Sequence, residues 1–194
     1  MANVQHPGFA PLKHVSGGNI TYRRKRVLSS NTNAISLHDA VVTDSAGDCI
    51  LATTATSAIA SVACGVSYVS SGSRIGAKSL PATTTYSGTT NDPLNASYVF
   101  IMEDAVSVLL RGSIDEAIVQ TGLGINYKMV LGSATNGISG HELDATTPAD
   151  TATFPFRVND FIFEPGNDVD AADAHVECQI NAGFIQPALT TTGT

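Results

Sequence analysis

Residues 97–112 read SYVFIMEDAVSVLLRG, the longest nearly continuous apolar text in the chain. Tyr98, Val99, Phe100, Ile101 and Met102 leave no polar face, which predicts a strand buried on both sides, with Phe100 in the core. Glu103 and Asp104 interrupt that strand and predict a bend. Val106, Val108 and Leu110 then alternate with Ala105, Ser107 and Leu109, a second strand pattern that closes at Arg111 and Gly112. The fold is expected to be built on this pair.

On the C-terminal side, residues 113–119, SIDEAIV, read as a helical turn or as a strand with a polar edge. Residues 126–131 predict a short strand, residues 133–140 a turn and residues 143–152 a polar loop. Residues 153–162, TFPFRVNDFI, place Phe154, Phe156 and Val158 on one side of a strand. Residues 164–173, EPGNDVDAAD, form an acidic turn. The last predicted strand, residues 174–180, turns Val176, Cys178 and Ile180 inward.

On the N-terminal side, residues 79–95 are loop-rich, and Pro93 demotes any strand there to an edge. Residues 35–42 and 49–69 carry β-branched text broken by turns at residues 44–48 and 70–76. Residues 1–18 hold Pro7, Gly8, Pro11, Gly17 and Gly18, with Phe9 and Leu12 as scattered apolar anchors. That pattern predicts an extended arm, ordered only where something holds it. The expected organisation is an arm at residues 1–28, a β-rich body at residues 29–185 and a polar tail at residues 186–194. Short strands separated by Gly, Pro, Asn and Asp turns define the expected fold class as all-β, a sandwich, barrel or β-tulip-like body.

The chain has 194 residues, room for one well-buried domain. Charged residues make up 14%, low against the usual ~25%, so the surface is expected to be covered in part by contact between copies. No run reaches the roughly 18 apolar residues of a membrane span, and residues 1–9, MANVQHPGF, lack the apolar core of a secretory signal. Cys49, Cys64 and Cys178 lack metal-site spacing and are expected as buried free thiols in a reducing compartment. The net charge of −7 is uneven. Residues 1–38 hold Lys13, Arg23, Arg24, Lys25 and Arg26 and no acid, while the rest holds seventeen acids and five bases. A basic arm on an acidic body is expected to dock on an acidic neighbour; the plainer reading makes RRKR a solvated strand or turn.

Candidate chemistry is sparse. His38-Asp39 and His141-Glu142 are adjacent pairs, and strand neighbours point to opposite faces, so adjacency makes no dyad. The stretch from His141 lacks the second histidine of a zinc HExxH site. Around Ser139, Gly137-Ile138-Ser139-Gly140 lacks the spacing and following helix of a nucleophile elbow. Gly122-Leu123-Gly124 lacks the third glycine of a dinucleotide loop. Asp168, Asp170 and Asp173 are the best cation candidates, yet the glycine and glutamate of a calcium loop are missing, which favours a solvated acidic turn. No cofactor and no enzyme activity are expected. Nucleic acid is not expected either, because the body is acidic and RRKR has only Tyr22 beside it.

Residues 106–119, VSVLLRGSIDEAIV, resemble tailed-phage head decoration proteins of the lambda type, in which a hydrophobic strand ends in Arg-Gly before a short polar-apolar strand. Ile101-Met102-Glu103-Asp104-Ala105 also fits. The opening MANVQHPGFAPLKHVSGG resembles the start of a broader set of phage virion proteins, "MAN…GF.P..H.SGG". Together these segments cover roughly a third of the chain. The lambda type is much shorter, and the extra length falls especially at residues 29–95. The resemblance implies a homotrimeric cement protein that binds the major capsid protein on the outer face of the virion, made in the host cytoplasm, with no catalytic residues and no membrane partner. On that reading Phe9, Leu12, Lys13, Arg23, Arg24, Lys25 and Arg26 are the expected partner-binding residues. The alternatives are a tail or head-fibre component and a β-sandwich carbohydrate-binding module; the lack of Trp weakens the last.

Overall fold

The computed structural model describes residues 8–27, 33–44, 47–70, 72–81, 96–149 and 153–182. They form strands β1 (Ala10–His14), β2 (Tyr22–Arg26), β3 (Ile35–Ser36), β4 (Ala40–Thr43), β5 (Cys49–Leu51), β6 (Ser61–Ser70), β7 (Ser73–Ala77), β8 (Ser79–Leu80), β9 (Tyr98–Met102), β10 (Val108–Ile114), β11 (Asn126–Val130), β12 (Glu142–Ala149), β13 (Phe156–Phe161) and β14 (Ala174–Ile180). Single 3-10 turns sit at Ala105–Ser107 and Gln120–Gly122. The fold is all-β. Among the described residues no helix is long and apolar enough to cross a membrane.

A small barrel holds the main core. Its strands run β10-β12-β11-β13-β14, and β14 pairs back onto β10 to close the ring. All pairings are antiparallel except β10 with β12, which meet in parallel at Ile114 and Leu143. Closure leaves no free edge in the ring, and β1 covers the rest of the outer edge of β10. The text VLLRGSI of β10 is buried at every residue but Arg111, because packing covers both of its faces. β14 alternates as its sequence predicts, with Val176, Cys178 and Ile180 fully inside. In β13 a bulge between Val158 and Asp160 resets the alternation, so Phe161 turns inward after Phe156 and Val158.

The second sheet runs β2-β9-β6-β4-β5, with β7 paired to β6 and β2 at one edge. It separates two cores. Ala40, Val62 and Met102 face the barrel core. Val41, Ala63, Val66, Val99 and Ile101 face a smaller core, closed by Ile35 and Leu80 of the β3–β8 ribbon.

Several expectations are corrected. The two strands expected in residues 97–112 both form, but they do not share a sheet: β9 lies in the second sheet and β10 in the barrel. The interruption at Glu103 and Asp104, with the 3-10 turn after it, carries the chain from one sheet to the other, and Val106 sits in that turn. β9 is not buried on both sides. Phe100 is 39% exposed, because the barrel covers the sheet at Met102 and stops short of the next residue on that face. The polar loop expected at residues 143–152 is the strand β12 as far as Ala149. Leu143 anchors it in the core, while Thr146 and Thr147 stay outside.

The arm is corrected too. Over residues 8–27 it is part of the body, as β1 on the barrel and β2 on the second sheet. Phe9 is fully buried and stacks on Phe156, ring centroids 4.0 Å apart. Gly112 makes room for it: a Cβ there would lie 3.2 Å from the Phe9 ring and 3.3 Å from the Cys178 sulfur. The polar tail at residues 186–194 lies outside the described residues, as do residues 82–95 with Pro93.

Candidate functional site

The second sheet extends past the barrel, and the uncovered end forms one wall of an open groove of about 460 Å3. Pro11 of β1, Tyr22 of β2, Cys64 of β6, Phe100 of β9, and Leu37 and His38 of the turn between β3 and β4 line it. Strand register explains why these side chains meet. Tyr22 pairs with Met102, Arg24 with Phe100 and Arg26 with Tyr98, and directly paired residues share a face. The face that buries Met102 therefore carries Phe100 and Arg24 into solvent, with Tyr98 half-buried beside them and Arg26 held on Asp48.

Basic groups rim this face. The Arg24 guanidinium lies 4.9 Å from the centre of the Tyr98 ring, and that of Arg74 lies 5.4 Å from it. Arg74 also donates to Ser67 Oγ and to the Ala96 carbonyl, each at 3.2 Å. A guanidinium stacked by its face keeps N–H groups at its edge for an acceptor. The sequence placed only Tyr22 beside the basic run; the fold adds Tyr98 and Phe100.

The residues expected to bind a partner divide. Phe9 belongs to this chain's own core and reaches no neighbour. Leu12 is 43% exposed. Lys13 is exposed and bridges Glu177 at 3.0 Å. Arg23 and Arg24 are exposed on the edge strand. Lys25 is half-buried and donates to the Gly47 carbonyl at 3.5 Å. Arg26 grips the buried Asp48 with Nε at 2.6 Å and Nη2 at 2.8 Å.

Three reactive-looking clusters are structural. Ser139, His141 and Asp39 are all buried, and Ser139 Oγ hydrogen-bonds to Asp39 rather than to the His141 ring. His141 Nδ1 lies 3.8 Å from Asp39 Oδ1 without a hydrogen-bond partner. Burial pushes His141 down and Asp39 up, so the pair favours its uncharged forms. The cluster ties three segments together: the Gly8 amide donates to the His141 carbonyl, and the Ser139 amide to the Leu37 carbonyl. Beside the groove, burial pushes the Cys64 thiol up to about 12, too high for a nucleophile at neutral pH. All three cysteines are free. On the barrel, Arg111 Nη2 donates to Glu164 Oε1 at 2.6 Å, and His175 Nδ1 lies 2.8 Å from the same oxygen. The acidic turn gathers no metal-binding group of His, Cys, Asp or Glu, and neither does any other described residue.

Elsewhere on the surface, Ser16 Oγ lies 2.7 Å from His14 Nδ1, and Asp104 Oδ2 lies 3.6 Å from His14 Nε2. The groove itself offers an apolar concavity, two guanidiniums over one aromatic ring and an edge strand, the chemistry of recognition. No family model matches the sequence, and no curated protein or solved structure matches the chain.

Proposed function

We propose that the chain is a structural virion protein, a homotrimeric decoration protein that binds the major capsid protein on the outer face of a phage head and stabilises the lattice. The observation that carries this reading is the uncovered sheet face of Tyr22, Phe100 and Tyr98, with Arg24 and Arg74 over the Tyr98 ring. Exposed aromatic and arginine side chains around a concavity have the composition of a protein interface core. The text VSVLLRG, which resembles the decoration proteins, forms the 3-10 turn and the central strand β10. The acidic body disfavours nucleic acid, since phosphate binding needs a wider basic footprint. A clamp that binds only the assembled lattice stabilises it in proportion to its affinity and occupancy.

Co-sedimentation of the purified protein with capsids tests the reading. Saturable pelleting and a higher capsid melting temperature are expected; a protein that stays in the supernatant at every concentration would sink it. The exposure of Tyr22 and Phe100 at a groove favours a second reading, a carbohydrate-binding module. Specific signal on a glycan array, absent from a Tyr22→Ser variant, would replace the first reading with this one.

A further inference from the structure

The turn after β13 is the physical complement of the groove. Phe163 is 77% exposed, the most of any large hydrophobic residue described, and touches Phe161 only edge-on at 6.2 Å between centroids. It is followed by the exposed Pro165, Asp168 and Asp170. The turn is pinned in place. Glu164 accepts from Arg111, and Asn167 receives the His175 amide at 2.8 Å while its own amide group donates to the Ile162 and His175 carbonyls. An apolar ring held out on a braced loop cannot fold back to bury itself, and its ordering cost is already met before it binds.

We infer that Phe163 of one copy inserts into the groove of a second copy, with Asp168 and Asp170 reaching toward Arg24 on its rim. The inference deepens the homotrimer of the proposed function and rests on its self-association. Three features select a second copy as the occupant. The ring matches the apolar walls made by Pro11, Tyr22, Leu37 and Phe100. The signs match, since the knob is acidic and the rim basic. The groove, at about 460 Å3, is larger than one aromatic side chain. Knob and groove are different patches of the same surface, so the contact is heterologous, and copies joined this way form a closed ring when the rotation between them closes.

Sedimentation velocity on the full chain tests this with two surface variants. Phe163→Ser removes the knob, and Phe100→Ser opens the groove. Each variant alone is expected to lose self-association by about tenfold to a hundredfold in Kd, the range for withdrawing one aromatic side chain from a dry contact. Mixed one to one, they are expected to form a dimer and nothing larger, because one intact knob and one intact groove remain. Association of either variant as strong as that of the unaltered chain would overturn the inference. So would a monomeric unaltered chain, or a mixture that fails to dimerise, which would indicate a symmetric contact of other design. Circular dichroism checks folding; if Phe100→Ser does not fold, Tyr22→Ser carries the same test at the same wall. Capsid pelleting run in parallel separates the two claims. A monomer that pellets with capsids sinks only the knob and groove, whereas a knob-and-groove oligomer that ignores capsids sinks only the capsid role.

Discussion

At the scale of single residues, two phenylalanines exchange the roles their sequence contexts suggest. Phe9 sits among prolines and glycines without periodicity, yet it is fully buried against Phe156. Phe9→Ala is therefore expected to cost about 3–5 kcal/mol, from lost transfer energy and the cavity left behind. Phe100 lies in an unbroken apolar run, yet it is 39% exposed, and Phe100→Ala should cost clearly less than Phe9→Ala, about 1–2 kcal/mol. Urea midpoints of the two variants decide the matter, and a reversed order would show that the barrel covers the wrong end of β9. Periodicity was readable in β14, where one face is buried along the whole strand. It failed at Phe9 because that burial depends on the bare backbone of the distant Gly112. The histidines add a pH dependence. Burial depresses His38 and His141 below their ordinary 6.5. The unfolded chain then takes up protons first as pH falls, so stability present above pH 6.5 is lost on acidification, at up to about 1.4 kcal/mol per pH unit for each group. Asp39, raised by burial, works in the opposite sense: its contribution is present below its ordinary value and lost as pH rises through the folded one. His38→Asn isolates one group, because asparagine tolerates the left-handed backbone at φ 70. Its urea midpoint should fall less between pH 7.5 and 5.5 than that of the unaltered chain; parallel curves would assign the effect elsewhere.

At the scale of elements, the N-terminal strands carry the main lesson. Composition alone makes residues 1–18 an arm, because Gly and Pro suppress any local preference and the few apolar residues show no period. The strand β1 exists only because β10 offers it an open edge beside β14, a tertiary fact absent from the local text. The same holds for β12, whose threonines suit a strand but whose identity is fixed by pairing with β11 and burial of Leu143. Deleting residues 2–14 should accordingly unfold the chain or remove several kcal/mol, since it strips Phe9 from the core and leaves an edge of β10 unpaired. Loss of the cooperative urea transition, or a much lower midpoint, is the expected result. A truncated chain as stable as the full one would return this segment to the status of a detachable arm.

At the scale of the molecule, the split between a basic N-terminal region and an acidic remainder was legible in the sequence, and its physical use divides. Part of the charge is neutralised inside one chain: Arg26 on Asp48, Lys13 on Glu177, and in the body Arg111 on Glu164. The other part, Arg23 and Arg24, stays exposed on the edge of the second sheet. Sequence could not sort these four neighbouring bases, because strand alternation, the register with β9 and the approach of Asp48 decide which of them faces what. The sorting gives opposite expectations for two substitutions on one strand. Asp48 is buried, so Arg26→Ala leaves a carboxylate without its bidentate partner. The loss should exceed that of a fully exposed ion pair, because Asp48 is buried, and fall short of that of a fully buried pair, because the Arg26 side chain is 39% exposed. Arg24→Ala removes only a stacked, exposed guanidinium and should leave the thermal midpoint nearly unchanged. Under the proposed function it should instead weaken pelleting with capsids. Added salt should weaken the pelleting of the unaltered chain in the same direction, because exposed charges are screened beyond roughly 8–10 Å at physiological ionic strength. Measured side by side, Arg26→Ala should lower stability more than attachment, and Arg24→Ala attachment more than stability. If Arg24→Ala lowers stability as much as Arg26→Ala and leaves attachment intact, the exposed bases serve the fold alone and the surface proposed to face a capsid is not this one.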